Sequence, residues 1–166
     1  LGSTYPKHTG GLSNTFSFKG VDLDFLFQYQ YGRYQIDAQE QFLTENGLRG
    51  FNVLRDVYER RWTTPGQITD IPRPYNGSAE PTGVTGLATR LFKKTDYIRL
   101  KQIQLGYNLP KTLLSKAKIS SVKVYAQGTN LFTIDDWGGY DPEFYGTALG
   151  IAPVSKNLTF GIQVGF

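Results

Sequence analysis

The sequence predicts an all-β fold: an antiparallel up-and-down transmembrane β-barrel, of which this chain supplies the last five strands. Three observations carry the prediction. Five segments, at about 9–19, 22–32, 96–109, 121–132 and 157–166, alternate apolar and polar residues, and side chains on a strand point to opposite faces in turn. The connections between them run short, long, short, long, which puts tight turns on one rim and large loops on the other, as in outer-membrane barrels. The last segment keeps its alternation to the end of the chain: Leu158, Phe160, Ile162, Val164 and Phe166 on one face, Asn157, Thr159, Gly161, Gln163 and Gly165 on the other. A terminus that does not fray suits a barrel that closes on its final strand. The segment also has the length of a tilted membrane strand, roughly 9–11 residues.

Composition agrees. With 11 Tyr, 11 Phe and 19 Gly in 166 residues, the chain favours β structure over helix. No apolar run reaches the roughly 18 residues of a transmembrane helix, which says nothing against strands that are only half apolar. The mean hydropathy of −0.35 fits a soluble protein and a porin-like barrel equally well. Without cysteine there is no disulfide, thiolate metal site or Cys nucleophile. The net charge of +4 is scattered, without the clustered basic patch of a nucleic-acid binder. Leu1-Gly2-Ser3 is not a signal peptide, and the chain reads as a piece of something longer. Five strands are too few to close a membrane barrel, and free edges in lipid leave unpaired backbone groups, so further strands are expected upstream.

In the first strand Leu12, Asn14, Phe16 and Phe18 alternate with Ser13, Thr15, Ser17 and Lys19. Gly20 supplies the positive φ of a tight turn. In the second, Leu23, Phe25, Phe27, Tyr29 and Tyr31 share a face. Residues 33–95 then lose the alternation and read as a long functional loop without strands. Ile36 to Leu48 is helix-permissive with Gly47 as a stop, and Val53, Leu54, Val57 and Tyr58 have helical spacing. In the third strand Ile103, Leu105, Tyr107 and Leu109 alternate with Gln102, Gln104, Gly106 and Asn108, but Ile98 and Leu100 have the opposite parity. That crossover marks either the water boundary or a bulge. Pro110 ends the strand, a short connector follows, and Val122, Val124 and Ala126 form one face of the fourth. A second aromatic, glycine-rich loop spans 133–156.

The order of motifs resembles the SusC/RagA family of TonB-dependent outer-membrane transporters. Asp96-Tyr97-Ile98-Arg99-Leu100-Lys101-Gln102-Ile103-Gln104-Leu105-Gly106-Tyr107 is similar to a late strand of that family. So are Val124-Tyr125-Ala126-Gln127-Gly128-Thr129-Asn130-Leu131-Phe132, then Gly139-Tyr140-Asp141-Pro142-Glu143, then Phe160 to Phe166. Arg61-Trp62-Thr63-Thr64-Pro65-Gly66 and Thr69-Asp70-Ile71-Pro72-Arg73 resemble its long-loop signature. The resemblance covers residues 1–166 as the C-terminal part of one barrel domain of about 22 strands with a plugged lumen. It implies an outer-membrane location facing lipid, a SusD-like lipoprotein partner, energy from TonB through the absent N-terminal part, and import of glycans or peptides.

The candidate chemistry is binding rather than catalysis, with no cofactor and no metal ligand set. Asp135, Asp136, Asp141 and Glu143 could ligate a hard cation such as Ca²⁺ through their oxygens, but they lack the alternate-position spacing of an EF-hand, and the default reading is a solvated acidic loop. His8 is the sole histidine and has no triad partners. Trp62, Trp137, Tyr140 and Tyr145 are loop aromatics whose flat faces suit sugar rings or peptides; the alternative is that they pack the loops onto the rim or a lid protein. Tyr29, Tyr31, Tyr97 and Tyr107 near strand ends fit an interfacial aromatic girdle. Asn76-Gly77-Ser78 and Asn157-Leu158-Thr159 match the glycosylation sequon, a cheap pattern. In outer-membrane barrels generally, a C-terminal aromatic strand is the assembly signal, here Phe166 with Val164 and Ile162. A second functional class stays open: a soluble carbohydrate-binding β-module, with the helices around Val53 to Tyr58 covering its apolar face.

Overall fold

The computed structural model describes residues 2–44, 52–73, 88–114, 119–144 and 152–166. Seven strands, β1 (His8–Phe18), β2 (Val21–Tyr31), β3 (Tyr34–Ile36), β4 (Phe92–Lys94), β5 (Tyr97–Asn108), β6 (Ser121–Asp135) and β7 (Asn157–Gly165), carry the fold. Three short helices accompany them: α1 (Ala38–Thr44), α2 (Arg55–Arg60) and α3 (Lys111–Leu114). Five strands form one antiparallel sheet in the order β1-β2-β5-β6-β7, and β3 and β4 pair separately. The main sheet is open, with β1 and β7 at its edges.

The five expected strands are all present. The first long loop is not strand-free, however: β3 and β4, from its two ends, form a small antiparallel pair. Alternation cannot reveal a strand of three residues. The fourth strand runs to Asp135 instead of 132. The expected stop at Gly47, the sequon at Asn76 and the aromatic Tyr145 lie outside the described residues.

β1 and β2 are joined by Lys19 and Gly20, both at positive φ (50° and 88°). That is the twist of a two-residue hairpin turn, and it sets an unbroken register from Phe18 opposite Val21 to His8 opposite Tyr31. The registers align the apolar positions into rows across the sheet. Phe16, Leu23, Leu105, Ala126 and Phe160 form one; Phe18, Val21, Tyr107, Val124 and Ile162 form the next.

The parity crossover in the third strand is a bulge. Opposite Leu26 and Phe27 of β2, β5 runs from Gln102 to Leu100, with Lys101 as an extra residue. Opposite that same step, β6 runs from Thr129 to Phe132, one residue more again, with Asn130 at φ 52°. The shift returns Leu100 and Ile98 to the apolar face, beside Phe27 and Tyr29 on one side and Phe132 and Ile134 on the other. It turns Arg99 and Lys101 to the polar face. Tyr97 turns with them: it is buried and its hydroxyl accepts a bond from Gln28 Nε2 at 3.2 Å. Tyr97 therefore leaves the expected girdle, whereas Tyr29, Tyr31 and Tyr107 stay exposed at the strand ends. His8 stacks on Tyr31, with ring centroids 6.3 Å apart.

The apolar face is uncovered. Phe160 is 78% exposed and Ile162 71%, against a few per cent for an ordinary core. Most of the buried apolar side chains sit elsewhere, in the loops: Ala38, Val57, Ile71, Leu91 and Trp137. In lipid each large apolar side chain on this face gains roughly 1.5–3 kcal/mol relative to water. An arginine in place of Phe160 is predicted to destabilise the parent protein by about 2–4 kcal/mol in bilayers, and Gln127→Arg on the opposite face by much less. Urea unfolding in lipid vesicles measures both.

Candidate functional site

The polar face of the sheet and the two long loops meet at the upper ends of β2, β5 and β6. The meeting point is built on two arginines. Arg99 is brought inward by the bulge and has a side chain 3% exposed. Its guanidinium donates to Asp141 Oδ1 at 2.8 Å, Glu143 Oε2 at 2.7 Å and Thr133 Oγ1 at 2.9 Å. Lys101 adds a second cation to Glu143 at 2.6 Å. Arg33 follows Gly32, whose φ of 77° turns the chain from β2 toward β3. Buried, it donates to the carbonyls of Pro142 at 3.3 Å and Phe144 at 2.9 Å, and to Gln35 Oε1 at 2.6 Å. The two arginines thus clamp one segment, Asp141 to Phe144, from two sides.

Asp96 fixes the clamp. Between the paired stretches β2–β5 and β3–β4, its Oδ1 accepts the backbone N–H groups of Gly32 at 2.6 Å and Arg33 at 3.3 Å. The side chain thereby replaces ladder bonds where the strands bend, as buried backbone donors require. Burial pushes the Asp141 carboxyl up. Bonds from Arg99 and from the N–H groups of Glu143 and Val154 more than reverse that, so its pKa lies below the ordinary carboxylate value. Of the four acids expected in a solvated loop, Asp141 and Glu143 are ion-paired instead, whereas Asp135 and Asp136 are exposed. Asp135 is also engaged, accepting from the N–H of Trp137 at 3.0 Å.

Above the clamp lies a cleft of about 440 Å³ between the two long loops. Asp37, Glu40 and Lys93 line it from the first loop; Trp137, Tyr140 and Phe144 line it from the second. Asp37 sits just before α1, and its Oδ1 accepts the N–H of Glu40 at 2.8 Å, a helix-capping bond. Glu40, in the first turn, pairs with Lys93 of β4, and Asp37 Oδ2 lies 3.7 Å from the same ammonium. Of the four loop aromatics, Trp137 and Tyr140 share this cleft, the first buried and the second 60% exposed. Trp62 lies outside its lining, half-buried, with its backbone N–H donating to the Ile71 carbonyl at 2.9 Å. The loop around it is braced by Gln67, whose Oε1 accepts from Thr63 N at 2.7 Å and whose Nε2 donates to the Arg61 carbonyl at 3.0 Å. Phe166, Val164 and Ile162 are far from this cleft, at the end of β7.

Sequence reasoning missed Arg33, Asp96 and Arg99. The signal for Arg99 was present in the parity crossover; Arg33 and Asp96 act through loop geometry that periodicity does not carry.

No family model matches the chain. It is 32% identical, over its full length, to TonB-dependent receptor P3 of Formosa agariphila and 29% identical to TonB-dependent receptor P26 of the same organism. It spans 17% and 18% of the length of those two relatives. Its fold superposes on a structure of the RagAB peptide transporter with a TM-score of 0.83 at 32% identity, covering 99% of this chain and 18% of that one. The RagAB peptide importer in its closed-closed state gives 0.82. The kinship locates the chain in the outer membrane.

Replacing Arg99 by Met leaves two carboxylates facing an apolar side chain, a change expected to cost about 3–5 kcal/mol. It is predicted to release the 141–144 segment to protease attack in the parent protein. Because the Asp141 pKa is lowered by folding, its contribution is complete at neutral pH and fades only as pH falls below the ordinary carboxylate range. In the wild-type protein, cleavage in this loop should therefore rise on acidification, read with an acid-active protease such as pepsin and normalised to an exposed loop site.

Proposed function

We propose, from a chain that resembles SusC/RagA-type TonB-dependent receptors over its whole length, that it supplies C-terminal barrel strands and two extracellular loops to an outer-membrane importer. The importer takes up glycans or peptides, works with a SusD-like lipoprotein and draws energy from TonB through parts of the protein beyond this chain. Its mechanism is binding and gated import, without covalent chemistry. One observation carries the reading: a sheet with one continuous, uncovered apolar face and an opposite face holding Arg99, Lys101 and a row of polar side chains, Asp24, Gln104, Gln127 and Thr159. A sheet in water cannot leave the first face bare; a barrel wall between lipid and a wet lumen has this form.

The soluble-module alternative required the helices near Val53 to Tyr58 to cover the apolar face. Val57 of α2 is buried, but Tyr58 is exposed and the strand residues of that face remain open. Phe166, Val164 and Ile162 serve in this reading as the assembly signal, on an edge strand free to be recognised.

Expression of the parent gene tests the proposal. A detergent-requiring, heat-modifiable band in the outer-membrane fraction is expected, and Phe166→Ala should lower its amount several-fold without altering total synthesis. A monodisperse soluble protein would contradict the assignment.

A further inference from the structure

We propose that the cleft between the two loops binds the basic side chain of a peptide, with Asp37 and Glu40 taking its cation and the Trp137 indole N–H donating to a peptide carbonyl. This rests on the importer reading above and narrows its substrate class at one site.

The first argument is charge. Asp37 and Glu40 both lie against the Lys93 ammonium, and no other cation pairs with either among the described residues. Asp141, on the same lining, is already neutralised by Arg99. Within this cluster two carboxylates therefore face one lysine, with the Arg33 guanidinium the next cation, behind the opposite wall on the Phe144 carbonyl. Both carboxylates are largely shielded, 11% and 25% exposed, so solvent screens that surplus only partly. A ligand cation answers it; a neutral sugar does not.

The second argument is independent of the acids. Trp137 is 3% exposed, yet its indole N–H has no hydrogen-bond partner among the described residues. The Nε1 edge lies over Gly139, where a Cβ would come within 2.1 Å of it, and both residues line the cleft. The buried side-chain atoms without a hydrogen-bond partner among the described residues are Glu40 Oε2 and Thr95 Oγ1, so the unpartnered indole N–H is reachable from the cleft and open to an acceptor that enters it. A carbonyl oxygen fits, and a peptide offers a carbonyl a few bonds from each side-chain cation. Tyr140, exposed on the same wall, gives an aromatic face for the aliphatic stem and for cation–π contact.

The test uses the parent protein purified in detergent and fluorescein-labelled Gly-Ala-Lys-Ala-Gly, compared by anisotropy with the same peptide carrying Nε-acetyl-lysine. Unlabelled maltoheptaose serves as competitor. Wild-type protein is expected to bind the lysine peptide about tenfold more tightly than the acetylated one. Glu40→Gln should abolish that difference, since Asp37 alone then balances Lys93. Trp137→Phe, which keeps an aromatic plane without the N–H, should weaken both peptides by roughly fivefold and preserve the difference. Glu59→Gln, at an exposed pair with Arg55, should change nothing. Equal binding of the two peptides, no peptide binding, or displacement by maltoheptaose with lysine discrimination absent would each overturn the assignment. A heat-shift gel on the same preparations reports barrel assembly separately, so a failed cleft and a failed importer reading give different results.

Discussion

The structure depends on a one-residue register shift at Lys101. Without it, the parity set by Ile103, Leu105 and Tyr107 would carry Lys101, Arg99 and Tyr97 onto the apolar face and send Leu100 and Ile98 inward. A buried arginine facing hydrocarbon is among the most expensive arrangements a membrane strand can adopt. The bulge reverses the parity within β5 while β2 runs on regularly on one side and β6 adds a further residue on the other. One device thus keeps the apolar face continuous and delivers Arg99 to the loop segment it anchors. Bulges recur beside functional sites because they re-aim side chains, and here the re-aimed side chain is the one that organises the second loop.

From that point the loops follow. Arg99 and Lys101 fix the carboxylates of Asp141 and Glu143, Arg33 fixes the carbonyls on the other side, and Asp96 holds the turn that presents Arg33. Trp137 and Tyr140 precede the anchored segment, so its position sets theirs. The facing wall, with Asp37 and Glu40, comes from the β3–β4 pair and α1, which extend the β2–β5 pair beyond its bend. The cleft is thus held by the same strands that form the sheet, a rigid base for a loop-built site.

Much of this was legible in the sequence. Alternation located all five strands of the sheet, and Gly20 gave the turn between the first two. The crossover at Ile98 and Leu100 was visible, with a bulge as one of its two readings; only cross-strand register decides, because a bulge is defined by what lies opposite. The β3–β4 pair was invisible, since three residues cannot show a period and its two strands lie at opposite ends of the long loop. The acidic loop read as solvated because its partners, Arg99 and Lys101, lie some forty residues away in sequence and were assigned to the other face. Trp137 and Tyr140 were recognisable as loop aromatics, but their placement in one cleft, apart from Trp62, depends on tertiary packing.

The most direct measurement places single cysteines along β5 of the parent protein, which is simplified by this segment having none of its own. Each is labelled with a small fluorophore, and the protein is reconstituted into vesicles containing brominated lipid. Quenching is predicted at positions 98, 100, 103 and 105 and its absence at 102 and 104, so that the alternation breaks once, at Lys101. An alternation that runs unbroken through 98 to 105, or no quenching at any position, would contradict the account.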